Sequence, residues 1–222
     1  MKRVGKIDSL NLSYYSFEQY LNNEDYIIVT VKGIGIYEPK LWLETFGKSL
    51  TKNVIEAKII FTNTGLAIPL KRYSINPKMQ TIEFAGLYGY NEKSKLLREL
   101  LSDLLPKLDD CFISRIDVCF DYERVPTKIM KKVDEVRKRK LPYKNTSYFK
   151  TEKEKKTNQR IDIKLYDKQI KDKLDKSLMR LEFVFKGTYF NKNKLIDLDK
   201  STSKKIEKSI KKFTGIDCNV TL

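Results

Sequence analysis

Asp117 and Asp121 stand four residues apart in ISRIDVCFDYE (113–123), a stretch that alternates apolar and polar side chains. A period of two puts Ile116, Val118 and Phe120 on one side of a strand and Arg115, Asp117, Cys119 and Asp121 on the other. Two later stretches read the same way. In RIDIKLYDK (160–168) Asp162, Lys164, Tyr166 and Lys168 share a face, and in LMRLEFVFKG (178–187) Arg180, Glu182 and Val184 do. If these strands are neighbours, Asp117, Asp121, Glu182, Lys164 and Lys168 converge on one surface. Three carboxylates so placed repel unless cations neutralise them. Lysines can do this, and so can a divalent ion; an all-oxygen ligand set suits Mg²⁺ or Mn²⁺. Such an ion held against a phosphodiester would polarise it and offset charge in the transition state. The plainer alternative is a polar sheet face laced with ion pairs.

The elements that must position these residues follow from periodicity. Strands are expected over 6–15, 25–33, 53–63, 65–73, 79–86, 113–123, 145–151, 160–168 and 178–187. The pair around Asn63, Thr64 and Gly65 reads as a hairpin. NEKSKLLRELLSDLLPKL (91–108) is an amphipathic helix with Asn91 as N-cap and Pro106 marking its end. A second helix is expected over 126–140, with Pro126 in its first turn and Ile129, Val133 and Val136 as its apolar stripe. A Lys-rich helix over 202–213 carries a thin stripe of Ile206, Ile210 and Phe213 that could dock on the body. Strands close enough to pair antiparallel, interrupted irregularly by helices, predict an α+β fold. The expectation is a mostly antiparallel sheet with helices on one face, and two related β-α-β halves. The division expected is a domain over 1–190, with halves 1–110 and 111–190, and a C-terminal helical tail over 191–222.

Composition narrows the chemistry. The chain has 222 residues, no histidine and three widely spaced cysteines. Zinc sites of the Cys/His kind and histidine-based triads are excluded, so catalysis must rest on carboxylates, Lys, Arg, Tyr, Ser or Thr. The odd cysteine count reads as reduced thiols in a cytoplasmic protein. No apolar run is long enough for a membrane span, and the N-terminus does not read as a signal peptide. No Gly-rich phosphate loop is present. The net charge of +16 favours a polyanion, most simply nucleic acid. Between Arg124 and Lys176 there are 19 basic and 8 acidic residues around Tyr143, Tyr148, Phe149 and Tyr166. Basic side chains interleaved with aromatics suit a single strand. Codon bias, with 36 Lys against 9 Arg, accounts for part of that charge.

In order along the chain, SRIDVCFDYE, a helix, SYF, IDIKLYDK and MRLEFVFKG resemble the replication initiation factor family. This family comprises rolling-circle initiators of Gram-positive plasmids, related relaxases of conjugative elements, and similar phage initiators. KIDSLNLSYY and TIEFAGLYGY sit where the family has its first strand and its apolar-Gly segment, so the resemblance covers most of 6–187. It implies a tyrosine hydroxyl that attacks DNA, leaving a 5′-phosphotyrosine and a free 3′-hydroxyl, with a divalent metal assisting. By position the nucleophile would be Tyr148 of TSYFKT, the metal or acidic site Asp117, Asp121 and Glu182, and the phosphate support Lys168. Arg115, Lys144, Lys150, Arg160, Lys164, Tyr166 and Arg180 would hold the DNA. Two features depart from the family. Phe149, Lys150 and Thr151 replace its Gly-Ser-Arg-like run, and the segment from Tyr148 to Tyr166 is longer than usual. Tyr143 and Tyr166 therefore stand as alternative nucleophiles. The implied partners are single-stranded DNA or an origin hairpin, a host helicase and a second copy of the chain. The readings from other classes are a non-catalytic origin-binding factor and a metal-dependent hydrolytic nuclease.

Overall fold

The computed structural model describes residues 2–15, 17, 20, 25–33, 40–41, 54–73, 76–136, 139–143, 145–150 and 159–222. In the first half of the chain lie β1 (Arg3–Tyr14), β2 (Tyr26–Gly33), β3 (Lys40–Leu41), β4 (Val54–Phe61), β5 (Ala67–Tyr73), β6 (Asn76–Ala85) and α1 (Glu92–Leu104). In the second lie β7 (Phe112–Tyr122), α2 (Thr127–Val136), β8 (Arg139–Tyr143), β9 (Thr146–Lys150), β10 (Gln159–Asp167), α3 (Lys168–Asp172), β11 (Met179–Gly187), α4 (Ser203–Thr214) and β12 (Cys218–Thr221). The class is α+β: a mostly antiparallel sheet with the helices packed on one side.

The strand order is β3-β2-β4-β5-β6-β1-β7-β11-β10-β9-β8, with β12 parallel to the start of β1. Two halves are visible in it. Each begins with a central strand, β1 or β7, and these two pair antiparallel. In each, the next strand of the main path lies far out and a meander steps back inward, through β4-β5-β6 to β1 and through β9-β10-β11 to β7. A helix then follows the last inner strand, α1 after β6 and α4 after β11.

Alternation explains the layers. Ile116, Val118 and Phe120 of β7 and Phe183 and Phe185 of β11 are buried on the helical side, with Leu10 and Leu12 of β1. Gly5 of β1 comes so close to this layer that a Cβ there would lie 2.8 Å from Phe120 and 2.9 Å from Val118. The stripe of α4 docks as the sequence suggests: Ile206, Ile210 and Phe213 are all in the core, each side chain contributing about 1.5–3 kcal/mol by leaving water. Asn91 caps α1, accepting from the Ser94 amide at 3.0 Å, and Gly65, with φ 66°, closes the expected β4–β5 turn.

Three expectations shift. The helix expected over 126–140 ends by Val136, and Arg139–Tyr143 instead forms strand β8, paired with β9 at the sheet's end. Pro142 explains this, since the residue before a proline favours extended backbone and an edge strand tolerates the missing donor. The strand expected to run through Lys168 stops at Asp167, which caps α3 by accepting from the Ile170 amide. The tail adds strand β12, which the sequence reading left out. Among the described residues no helix is long and apolar enough to cross a membrane.

Candidate functional site

Register carries the polar side chains of β9, β10, β11 and β7 onto one face in rows. Tyr148 stands opposite Lys164, Lys164 opposite Glu182, and Glu182 opposite Cys119, with Asp117 two residues along β7. The face opens into a cavity of about 450 Å³, lined by Asp117, Glu182, Tyr148, Lys164, Lys93 and Lys171 among others.

Asp117 and Glu182 form the floor. Both are buried, at 1% and 5% exposure. Arg115 grips Asp117 with two hydrogen bonds, of 2.7 and 2.5 Å. Lys164 reaches Glu182 at 2.5 Å and Asp117 at 3.7 Å, and the Tyr166 hydroxyl donates to Glu182 at 3.0 Å. Burial pushes the Asp117 carboxyl up to about 6, helped by the Glu182 charge and opposed by Arg115 and Lys164. Burial pushes Glu182 up as well. Lys164 and the hydrogen bonds from Asp117 and Tyr166 outweigh it, so Glu182 stays below the usual carboxylate range. Burial thus favours the protonated form of Asp117, while Lys164 favours the ionised form of Glu182.

Asp121 belongs to a different cluster at the end of β7. Arg180, 0% exposed, donates to both Asp121 oxygens at 2.6 Å, to Asp8 at 3.0 Å and to the Tyr88 carbonyl at 2.7 Å. Asp8 gets there because the β1–β7 register slips between Ile7 and Ser9, and such a bulge re-aims a side chain. Its carboxylate also accepts from the Tyr88 amide at 2.9 Å. The Tyr90 hydroxyl donates to Asp121 at 2.7 Å, and burial, then that bond, pushes it up to about 12. Lys168, 3% exposed, pairs with Asp172 at 2.9 Å, and Asp172 also accepts from the Tyr90 amide at 3.2 Å.

The structure therefore brings Asp117, Glu182, Lys164, Tyr166, Arg115 and Tyr148 together and sets Asp121 apart, its carboxylate closed by Arg180. Among the described residues there is no group of three or more acids, histidines or cysteines placed to hold a metal ion. Arg180, expected on DNA, is internal, because its donors are spent on Asp8, Asp121 and a backbone carbonyl. Tyr166 is buried, its hydroxyl turned to Glu182. Lys168 lines the cavity as the first residue of α3, with its ammonium on Asp172. Lys150 lies in β9 and Arg160 in β10, while Lys144 falls outside the described residues. Sequence reasoning missed Asp8, Tyr90 and Asp172. Asp8 stands in an alternating strand whose bulge leaves no mark on the pattern, and the other two lie outside strands.

No protein-family model matches this chain, and no curated protein matches it. Among solved structures it is similar to a rolling circle replication initiator protein from Geobacillus stearothermophilus, with a TM-score of 0.44 and 15% identity over 81% of this chain and 73% of that one.

Proposed function

We propose that this chain is a replication initiator that nicks and rejoins one DNA strand through Tyr148. The observation that carries this reading is the row Tyr148–Lys164–Glu182 across β9, β10 and β11, with Asp117 beside it, open to one cavity. The motif order in the sequence supports it independently. Of the three tyrosines weighed, Tyr148 is half-buried on the cavity wall. Tyr166 is a poor nucleophile, because burial and the Glu182 charge hold its hydroxyl far above the ordinary phenol range. Tyr143 lies in β8, at the end of the sheet.

In the reaction the Tyr148 oxygen bonds to phosphorus and the bond to the 3′-oxygen breaks. The tyrosine proton leaves to a base, and the departing oxygen takes up a proton to become a 3′-hydroxyl. Rejoining is the reverse. Because one phosphodiester replaces another, no nucleotide hydrolysis is required. Lys164 lies between Tyr148 and the acid pair, where an ammonium favours a phenolate and a phosphate oxygen alike. Lys93 and Lys171 line the same cavity and hold the flanking phosphates.

Asp117 and Glu182 fit a Mg²⁺ or Mn²⁺ ion in the mode that uses two carboxylates plus substrate phosphate and water. Both carboxylates line the cavity, and the cations that now neutralise them, Arg115 and Lys164, are partly exposed side chains that a metal ion would replace. When bound, the ion would neutralise charge on the phosphate. Asp121, held by Arg180, stands outside that pair.

Incubation with single-stranded DNA, with and without Mg²⁺ or Mn²⁺, tests the reading. A covalent adduct that Tyr148→Phe abolishes while DNA binding persists is expected. Cleavage without an adduct would replace it with a hydrolytic nuclease, and binding without cleavage with a non-catalytic origin-binding factor.

A further inference from the structure

The molecule carries a second basic surface, and the sheet separates it from the cavity. Tyr189 packs on Phe185, which belongs to the helical face of β11, at 4.8 Å between ring centroids. Tyr189 in turn bonds Ser209 of α4 at 2.9 Å. This places α4 on the side of the sheet away from Asp117 and Glu182.

On the outer side of α4, Lys204, Lys208 and Lys211 follow at i, i+4 and i+7, one stripe of a helix, and all are exposed. With Lys2 they line a groove of about 230 Å³ between α4 and the chain entering β12. Two carboxylates share the groove, and both are engaged within the protein. Glu207 accepts from the Val220 amide at 2.9 Å, and Asp217 pairs with Lys211 at 2.7 Å. Among the described residues no carboxylate pairs with Lys2, Lys204 or Lys208. The surface continues onto α2, whose Lys132 side chain lies beside Gly215 at the end of α4. Lys211 holds the Asp217 carboxyl below its ordinary range, with Lys2 adding to the effect.

We propose that this α4 groove and the adjoining α2 surface bind the phosphate backbone of duplex DNA, on the opposite side of the sheet from the Asp117–Glu182 cavity. The inference goes beyond the nicking reading and does not depend on it. Three features select a duplex. Lys204 and Lys211 are about 10 Å apart along the helix axis, a length over which a duplex presents about six phosphates. No large exposed aromatic lies on α2 or α4; Tyr15 and Tyr90, the exposed ones among the described residues, are elsewhere. A single strand would need such rings to stack its bases. The apolar side chains Ile206 and Ile210 are 0% exposed, so α4 has no face to sink into a lipid surface.

The test compares Lys204→Glu/Lys208→Glu with Lys95→Glu/Lys107→Glu, a pair with the same charge change at exposed sites on and just after α1. Each full-length variant is titrated with a short blunt DNA duplex, with a single-stranded oligonucleotide and with phosphatidylserine vesicles, and its fold is checked by circular dichroism. The α4 pair should lose about tenfold or more in duplex affinity. Its salt dependence should become shallower by about 2 in log–log slope, since each phosphate contact contributes about 0.9. Single-strand affinity should change no more than in the control. Equal losses in the two variants, an equal loss on the single strand, or vesicle binding without duplex binding would each overturn the proposal. If the charge-reversed pair does not fold, Lys204→Gln/Lys208→Gln gives the same comparison, with a shallower slope expected and an unchanged one overturning it.

Discussion

Two acid clusters sit on one face of the same sheet, a few residues apart, and they are built differently. At the end of β7, Asp121 and Asp8 close on Arg180, whose side chain is 0% exposed and whose three nitrogens all donate inside the protein. In the middle, Asp117 and Glu182 are as buried as Asp8 and more so than Asp121, whose side chain is 21% exposed, but their cations come from the cavity wall, with the Arg115 side chain 36% and that of Lys164 22% exposed. The first arrangement cannot exchange its cation without unfolding the region. The second has its cations at the cavity wall, where solvent reaches them without unfolding. Burial of a carboxylate is therefore a poor guide to its role; the accessibility of its counter-charge discriminates better.

The strongest way to break this contrast is to remove Arg180. Arg180→Met should cost about 3–5 kcal/mol of stability, because two carboxylates lose a buried partner. Urea unfolding measures it, and a loss below about 1 kcal/mol would mean that the cluster is not structural. In the central pair the opposite balance is expected. Glu182→Gln and Asp117→Asn should keep the fold while lowering the rate of adduct formation by about 10²-fold or more. Near-normal single-turnover kinetics in both variants would remove the pair from the chemistry.

The pH dependence of stability sharpens the comparison further. The folded pKa of Asp117, about 6, lies above its ordinary 3.8. Folding therefore takes up a proton between those values. The stability this contributes is complete below about pH 4 and is lost as pH rises through about 6. Wild-type protein should lose more thermal stability over that interval than Asp117→Asn, and the variant should be at least as stable at pH 7.5. Parallel curves would show that the buried charge is not strained. The smallest effect belongs to Tyr90→Phe, which removes one hydrogen bond to Asp121 at a partly exposed site. It should cost no more than about 1 kcal/mol and leave adduct formation unchanged; a lost adduct would draw the Asp121 cluster into the active site.

Much of the central pair was legible in the sequence. Side chains in a strand alternate with a fixed period, so Asp117, Lys164, Tyr166 and Glu182 could be assigned to polar faces without knowing the fold. The stripe of α4 and the Asn91 cap were legible for the same reason: helical periodicity and capping chemistry are local. Local order also misled. The helix expected through Lys140 yields to strand β8, and Lys168 leaves the strand pattern to begin α3.

The sequence by itself determined the class of fold, the polar faces, the excess of positive charge and the absence of histidine chemistry. Tertiary structure alone decided which acids meet which cations. Asp8 and Arg180 are 172 residues apart, and they meet only because β1 is inserted between β6 and β7 with a bulge at residue 8. Alternation gives the side of a sheet but neither the neighbour across it nor the depth of burial. Those depend on strand order and register, which are set by how the two halves pack their apolar faces.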